Sequence, residues 1–435
     1  MKKIRILVTG LCLSRNRGGA AMALSFMRLM DEYAGAPFEY VFAVDPVHLE
    51  LEKEWGKKYG VRAVPRDTVT LALSTLPVFS FIRAAKAAIK GKKSAGNAAR
   101  LRKTAHDEYM RSFREADCVI NLNGIAFVGD GTRRWKASLN ELTDGIYARA
   151  AKKPFFRFIQ SYGPFNDRRV RFMASREFRR LKCVMARGKR ASGFCREAAG
   201  KTPVYCFPDV AVILPRAGKE WLEPYLSKLG AARGEYMIFS PSAVITALKG
   251  GGGTSTGEGH IDMFCLAAKH YLGRGKTLIF LPHMTSPVPS ECDREVCRII
   301  IRKLAESGAD ISRCVLIEDE LDCRELKALI SAARLAVVSR YHALVAALSS
   351  GVPAVPVGWN DKYMDLLDFY GAAQFAVDAR SGEPPVTAAR IIENAGKWTP
   401  EKIEKMRSLQ KGLEAEVRDA GRICGEWIQD VTGQK

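Results

Sequence analysis

The first half of the chain alternates short apolar runs with amphipathic ones. The apolar run IRILVTG begins at Ile4 and is followed by the basic loop SRNRGG, the helical pattern AAMALSFMRLM and a second apolar run, FEYVFAV. This order predicts a β-α-β unit. The runs DCVINLNG, PFFRFIQSYGPF and TPVYCFPDVAVIL continue the alternation. The pattern therefore predicts an N-terminal α/β domain, which we place at residues 1–230.

The second half repeats the alternation more regularly. Its apolar strand patterns are YMIFSPSAV, KTLIFLPHM, CVLIED, LAVVSR and AVPVGW, and amphipathic or apolar helical patterns separate them. Strands that alternate with helices predict a parallel sheet covered on both faces. We expect a Rossmann-like domain over residues 231–398. A long amphipathic helix over residues 399–435 is predicted to pack across both domains.

The predicted fold class is α/β, with two Rossmann-like domains and parallel sheets. Two such domains closed by a C-terminal helix would resemble the GT-B architecture of glycosyltransferases. Ligands of open parallel sheets bind beyond the carboxyl ends of the strands. Arg340, His342 and His283 all come at predicted strand ends. Their placement makes them candidate site residues.

The charge balance narrows the class of partner. The chain has 68 basic and 47 acidic residues, a formal net charge of +21. Such a surface attracts phosphorylated small molecules, nucleic acid or an acidic membrane leaflet. Since no RNP, KH, zinc-finger or basic-zipper signature is present, we expect no nucleic-acid partner.

Cysteine and histidine usage gives no sign of a disulfide framework or a metal site. The eleven cysteines are scattered without a CxxC pair, which predicts thiols in a reducing cytoplasm. The six histidines are dispersed and form no HExxH motif, so we expect no metal and no other cofactor. Arg5 interrupts the first apolar run, which favours a β-strand over a secretory signal. No stretch has the length and apolarity of a membrane-spanning helix.

A basic segment over residues 71–115 joins an apolar patch to a dense run of lysines and arginines. This composition is typical of a segment that contacts an anionic membrane surface. It is equally typical of a surface insertion that packs one helical face on its domain. The sequence leaves both interpretations open.

One long block of the second half resembles the C-terminal block of the polysaccharide pyruvyltransferase family. It reads LIEDELDCRELKALISAARLAVVSRYHALVAALSSGVPAVPVGWNDKYMDLL, with an acidic residue, Arg-aromatic-His-Ala, Gly-Val-Pro and a lysine in the family's order. Supporting matches are QSYGPF from Gln160, ARGKRAS from Ala186, PDVA from Pro208 and LPH from Leu281. Together these motifs span nearly the whole chain.

Two motifs depart from the family pattern. The N-terminal loop, usually Asn-x-Gly-Asp, reads Asn16-Arg17-Gly18-Gly19, and the mid-domain glycine cluster reads NLNGIAF. Both lie in the half where we expect the acceptor to bind. The departures therefore bear on the acceptor more than on the donor.

The resemblance implies an enzyme that moves pyruvate from phosphoenolpyruvate to hydroxyl groups of a sugar and forms a cyclic ketal. The expected acceptor is a cell-surface polysaccharide or its precursor, including a lipid-linked glycan. The reaction would take place in the cytoplasm, with a peripheral contact at the inner face of the membrane as a further hypothesis. The resemblance also implies catalytic roles for two residues. Arg340 would bind the donor anion, and His342 would donate the proton.

Six further residues are candidates for substrate binding. The first three precede a predicted helix and are expected to hold the acceptor, whereas the others are expected near the donor. They are Arg15, Asn16 and Arg17, and Arg187, His283 and Lys362. Each has an ordinary alternative as a solvated or ion-paired residue, and Asp209 of the PDVA motif could simply cap a helix or brace a hinge.

The glycine-rich stretch KGGGGTSTGEG invites comparison with a phosphate-binding loop, because consecutive amides can form an anion nest. It lacks the Gly-Lys-Ser/Thr ending of a P-loop, so a mobile linker lip is the better interpretation. Its place after the first strand of the second domain would still let it close over a ligand. Two rival functions stay open. One is a GT-B glycosyltransferase that uses a nucleotide sugar, and the other is a family member that binds a glycan or anion without catalysis.

Overall fold

The computed structural model describes residues 3–33, 37–67, 95–131, 135–247, 256–358 and 361–433. Of the predicted basic segment 71–115, residues 71–94 lie outside the described residues. The glycine run 250–253 lies outside them entirely.

The chain divides into two compact units. Unit 1 comprises Met1–Ser14, Phe26–Phe207 and Arg418–Lys435, and unit 2 comprises Arg15–Ser25 and Pro208–Val417. The sequence pattern placed one boundary at residue 230. The structure instead assigns two segments of the first 230 residues to unit 2, because they pack there: the Arg17 amide donates to the His283 carbonyl at 3.3 Å, and Lys327 Nζ donates to the Val212 carbonyl, also at 3.3 Å.

Unit 1 contains a five-stranded parallel sheet and two short parallel strand pairs. The order in the sheet is β3-β2-β1-β4-β6, while β5 pairs with β7 and β8 with β9. The strands are β1 (Ile4–Thr9), β2 (Phe38–Val44), β3 (Arg62–Pro65), β4 (Cys118–Asn121), β5 (Ile125–Ala126), β6 (Phe155–Arg157), β7 (Ser161–Tyr162), β8 (Val184–Arg187) and β9 (Val204–Phe207).

Helices cover the sheet of unit 1. The first of them begins in unit 2 and ends in unit 1. They are α1 (Arg17–Tyr33), α2 (Leu49–Tyr59), α3 (Ala95–Glu115), α4 (Ala137–Ala150), α5 (Arg168–Phe178) and α6 (Lys189–Ala198). Strands β1 and β4 lie inside the sheet and are buried. They are apolar almost throughout, as parallel strands with both faces covered require.

The sheet of unit 2 has six parallel strands in the order β12-β11-β10-β13-β14-β15. The strands are β10 (Tyr236–Ser240), β11 (Thr277–Phe280), β12 (Cys314–Leu316), β13 (Leu335–Val338), β14 (Ala354–Gly358) and β15 (Val377–Asp378). Counted within the unit, this is the 3-2-1-4-5-6 order of the Rossmann fold. The sheet of unit 1 follows the same scheme over five strands. The prediction of two Rossmann-like parallel sheets is confirmed.

Nine helices belong wholly or partly to unit 2 in addition to the start of α1, counted over the described residues. The last one is shared, with its first part in unit 2 and its end in unit 1. They are α7 (Lys219–Lys228), α8 (Ala243–Thr246), α9 (Glu258–Leu272), α10 (Asp293–Glu306), α11 (Cys323–Ser331), α12 (Tyr341–Ser349), α13 (Asp361–Phe369), α14 (Pro384–Gly396) and α15 (Pro400–Thr432). Within the described part of the chain, no helix is both long and apolar enough to span a bilayer.

The end of α15 completes the core of unit 1. The ring of Trp427 lies 5.0 Å from that of Phe156, centroid to centroid, and Ile428 is fully buried. Gly425 allows α15 to approach α1 closely, since a Cβ on Gly425 would stand 3.0 Å from the Cβ of Tyr33. The C-terminal helical residues are therefore part of a packed core and do more than cover a surface.

The strand order of unit 2 reverses direction between β10 and β13. A crevice forms at such a switch point, beyond the carboxyl ends of the strands. Arg340 comes two residues after β13, and His283 comes three residues after β11. The topology therefore brings the predicted strand-end residues to the same edge of one sheet.

Candidate functional site

The candidate site of unit 2 is built around the first turn of α12. Most of this helix is buried and apolar, from Ala343 to Leu348, so its polar side chains are confined to its beginning. Arg340 is the N-cap residue, with an extended backbone (φ −100°, ψ 129°). His342 follows on the first turn and is half-buried. This arrangement places a guanidinium and an imidazole beside the backbone amides of a helix N-terminus.

A buried carboxylate holds Arg340 in place. Arg340 Nε lies 2.8 Å from Oδ2 and 3.0 Å from Oδ1 of Asp293, and Nη2 also donates to Oδ1. Asp293 is fully buried and accepts hydrogen bonds from the backbone amides of Ala243 at 2.9 Å and Met284 at 2.8 Å. The second terminal nitrogen of Arg340, Nη1, makes no hydrogen bond with a described residue. The arginine is thus fixed from one side and keeps donors for a ligand on the other.

A second buried carboxylate lies beside His342. Asp209 Oδ2 is 3.6 Å from His342 Nε2, close enough for an ion pair when the imidazole is protonated. The other oxygen of Asp209 accepts the amide of Ala211 at 2.7 Å, as the cap of a short 3₁₀ helix, Val210–Ile213. The carboxylate is therefore rigidly placed and can stabilise positive charge on the ring.

Gly18 packs directly against the ring of His342. A Cβ built on Gly18 would lie 2.0 Å from His342 Nδ1, far inside van der Waals contact. No side chain fits there without displacing the imidazole. The glycine of the Asn-Arg-Gly-Gly loop is thus part of what positions His342.

Arg17 opens α1 and is buried. Its guanidinium Nη2 lies 2.5 Å from Glu320 Oε2, and Arg294 Nη2 donates to the other carboxylate oxygen at 2.8 Å. Burial raises the pKa of Glu320, but the hydrogen bond from Arg294 and the charge of Arg17 outweigh it and hold the pKa below its usual value. Glu320 is therefore ionised at neutral pH and anchors the loop to unit 2.

His283 lies amid these positive groups and is 5% exposed. Burial and nearby positive charges lower the pKa of His283 to about 3. The charges are those of His342, Arg340 and Arg17. At neutral pH His283 is therefore a neutral imidazole, and its Nδ1 has no hydrogen-bond partner among the described residues.

The remaining candidates of unit 2 surround this cluster. Lys362 Nζ lies 5.5 Å from the ring centroids of both Tyr341 and Tyr363. Arg15 Nη2 is 3.7 Å from Glu291, and Asn16 Oδ1 accepts the amide of Gly18 at 3.1 Å. The structure therefore places Arg15, Asn16 and Arg17 in the same unit as Arg340 and His342, whereas the sequence pattern assigned them to the N-terminal domain.

Arg187 belongs to unit 1. It is buried at the end of β8, where Nε donates to Ser161 Oγ at 2.9 Å and Nη2 donates to the Gly124 carbonyl. These bonds tie the end of β8 to the start of β7 and to the loop after β4. Hydrogen bonding within its own unit thus accounts for much of its position.

Sequence reasoning missed Asp293, Gly18 and Glu320. Asp293 looks like an ordinary acidic residue at a helix start, and only the fold brings it to Arg340. Gly18 had a signal in the altered family loop, but its contact with the imidazole depends on tertiary packing. Among the described residues, no three His, Cys, Asp or Glu side chains converge as metal ligands.

A protein-family model matches more than half of the chain. Residues 57–361 match the family model described as polysaccharide pyruvyl transferase. The chain belongs to this family. The match includes Arg187, His283, Arg340 and His342, whereas the loop from Arg15 to Arg17 lies before it.

The polysaccharide pyruvyl transferase chain is similar in fold to sugar-nucleotide enzymes. A UDP-GlcNAc 2-epimerase from Neisseria meningitidis bound to UDP-GlcNAc is 12% identical, with a TM-score of 0.57 over 98% of this chain and all of that one. A putative UDP-N-acetylglucosamine 2-epimerase from Listeria monocytogenes is 14% identical, with a TM-score of 0.56 over 96% and 94% of the two chains. A UDP-glucosyltransferase from Polygonum tinctorium is 11% identical, with a TM-score of 0.52 over 100% and 98%. The fold is GT-B-like.

Proposed function

We propose that this chain transfers the pyruvyl group of phosphoenolpyruvate to hydroxyl groups of a sugar in a cell-surface polysaccharide or its precursor. The observation that carries the proposal is the pair Arg340 and His342 at the start of α12, each backed by a buried carboxylate, in a chain of the polysaccharide pyruvyl transferase family. The cytoplasm as the place of reaction stays a prediction.

The donor carries a phosphate and a carboxylate, so its site needs fixed hydrogen-bond donors. Arg340 Nη1 and the amides of the first turn of α12 supply them, because a helix N-terminus favours anions. Lys362, beside Tyr341, adds a positive charge at the same end of the helix. Asp293 holds the guanidinium so that little side-chain entropy is lost when the anion binds.

The reaction needs an acid that protonates a carbon atom of the donor. His342 donates a proton to the methylene carbon of phosphoenolpyruvate, which leaves positive charge at C2. One sugar hydroxyl adds to C2, and its proton returns to His342. A second hydroxyl then forms its bond to C2 as the C–O bond to phosphate breaks, and its proton passes to the departing phosphate, which gives the ketal and inorganic phosphate. Asp209 stabilises the protonated imidazole, whereas the neutral His283 is suited to hydrogen bonding and not to protonating carbon.

Mass spectrometry of candidate glycans incubated with phosphoenolpyruvate tests this proposal. We expect a mass gain of pyruvic acid minus water that disappears in Arg340→Ala and His342→Ala. Arg302→Ala is the control, because Arg302 is a solvent-exposed cation of α10. No gain across a broad acceptor panel, despite phosphoenolpyruvate binding, would instead indicate a protein that binds the anion without catalysis.

A nucleotide-sugar transferase is the second candidate. The similar structures named above are sugar-nucleotide enzymes, and an open depression lies at β14 and β15, lined by Tyr363 and Asp378 among others. Thermal unfolding with each ligand separates the candidates. Stabilisation by UDP-sugars and not by phosphoenolpyruvate would favour the transferase, and the reverse favours pyruvyl transfer. The acceptor side in the N-terminal half stays a prediction, and so does the contact of Arg187 with the donor.

A further inference from the structure

Helix α5 presents one apolar and one strongly basic face. Its apolar face, with Val170, Met173, Ala174 and Phe178, belongs to a hydrophobic core of unit 1. The opposite face and the turn that follows carry six exposed cations. They are Arg168, Arg171, Arg176, Arg179, Arg180 and Lys182.

Over the described residues, no salt bridge to an acidic side chain compensates this basic face. Glu177 turns inward, where it is fully buried and pairs with Arg149 and Arg157. Asp167 is occupied by Arg169, whose Nη2 lies 2.6 Å from its carboxylate. None of the six cations forms a salt bridge with a described residue. By contrast, Arg298 on the surface of α10 pairs with both Glu295 and Glu318.

An aromatic ring protrudes from the middle of the basic face. Phe172 is 65% exposed, although burying a phenyl ring is normally favourable. It lies one helical turn from Arg168 on one side and from Arg176 on the other. At the start of the helix, the guanidinium of Arg169 stacks over the ring of Trp135 at 4.8 Å. The surface therefore combines positive charge that is not paired with described acidic residues and the exposed ring of Phe172.

We propose that the basic face of α5 docks unit 1 on an anionic lipid bilayer. Arginines that flank a protruding phenylalanine suit the interfacial region, where headgroup phosphates meet the cations and the ring enters the acyl boundary. A nucleic acid would match the charge, but single strands bind in grooves that align the backbone, and Phe172 stands on the outer face of a helix. This surface is formed by residues 168–182, which are not part of the sequence segment 71–115, and the inference is independent of the reaction proposed above.

Sedimentation of the full chain with lipid vesicles tests the inference. The wild type is expected to bind phosphatidylcholine vesicles that contain phosphatidylglycerol, and not vesicles of phosphatidylcholine alone. Reversal of two charges, in Arg171→Glu with Arg176→Glu, should weaken binding by at least about tenfold. Phe172→Ser should weaken it by about threefold or more while retaining the salt dependence, because it removes only the apolar contact.

The control carries the same change in net charge elsewhere. Lys405→Glu with Lys411→Glu reverses two exposed cations of α15, and it should leave vesicle binding unchanged. Thermal melting of each variant shows whether it is folded. The inference is overturned if the wild type ignores anionic vesicles at low salt, or if the control pair loses binding equally. It is also overturned if Phe172→Ser binds vesicles as the wild type does while the arginine reversal abolishes binding to DNA, which would identify a general polyanion surface.

Discussion

At the scale of single residues, the position of His342 depends on a glycine that is distant in sequence. Gly18→Ala would introduce a Cβ 2.0 Å from His342 Nδ1, so the imidazole must move. A displacement of about 1 Å in a catalytic group can cost on the order of a hundredfold in rate. We therefore expect a loss of pyruvyl transfer of about that size, measured with saturating phosphoenolpyruvate, in a protein that still folds.

Gly412→Ala is the matched control for this substitution. Gly412 lies in α15, and a Cβ there would meet nothing within 4 Å. Alanine should leave the activity unchanged and stabilise the helix by up to about 1 kcal/mol. Full activity in Gly18→Ala would show that His342 is not held by this contact.

His283 should give the protein an acid-sensitive stability. The pKa of His283 is about 3 in the folded state and has the ordinary histidine value of 6.5 in the unfolded chain, so the unfolded chain binds the additional proton between these pH values. The free energy of unfolding should therefore fall as the pH drops below 6.5, by up to about 1.4 kcal/mol per pH unit. His283→Gln should flatten this slope in urea unfolding measured at several pH values.

His270→Gln provides the comparison for the acid slope. His270 is only partly buried on α9, and burial followed by the charge of Arg274 lowers its pKa. Replacement of His270 should change the pH dependence of the unfolding free energy less than replacement of His283 does. Equal slopes in the wild type and His283→Gln would mean that His283 takes up its proton in the folded state.

At the scale of elements, Asp293 ties together four segments of unit 2. It begins α10, binds Arg340 after β13, and accepts amides from α8 and from the loop after β11. Asp293→Ala would leave a charge and several amides without a partner. The expected cost is about 3–5 kcal/mol in the free energy of unfolding, together with loss of activity.

A helix-capping aspartate shows what loss of an exposed cap alone would do. Asp310 caps a 3₁₀ turn and accepts the amide of Ser312 at 3.0 Å. Asp310→Ala should cost only about 1 kcal/mol. If Asp293→Ala were equally mild in urea unfolding, Asp293 would be an ordinary cap and Arg340 would need another anchor.

At the scale of the whole molecule, each unit has its own sheet and core, so damage should stay in the unit that carries it. Trp427→Ala removes the contact with Phe156 from unit 1 and should cost about 3–5 kcal/mol there. Trp398→Ala removes the stacking on Phe375, at 3.8 Å, from unit 2. Hydrogen exchange read peptide by peptide should show faster exchange in unit 1 for the first variant and in unit 2 for the second. Equal acceleration in both units for either variant would show that the chain opens as one cooperative body.

The hydrophobic pattern by itself determined the α/β class, most strands of both sheets and the strand ends at which Arg340 and His283 lie. It did not single out the short edge strands β3 and β15. Buried parallel strands are continuous apolar runs and their helices are amphipathic, so the information is local. The family motifs in the sequence also indicated Arg340 and His342 as a pair.

Only the tertiary structure decided what holds that pair and which unit each segment joins. Arg340 and Asp293 are 47 residues apart, and Arg17 and Glu320 are 303 apart, so no local pattern connects them. The same holds for the fit of Gly18 against His342 and for the membership of Arg15–Ser25 in unit 2. These features depend on how distant loops pack at the edge of one sheet, and packing of this kind is a property of the folded chain and not of any short stretch of it.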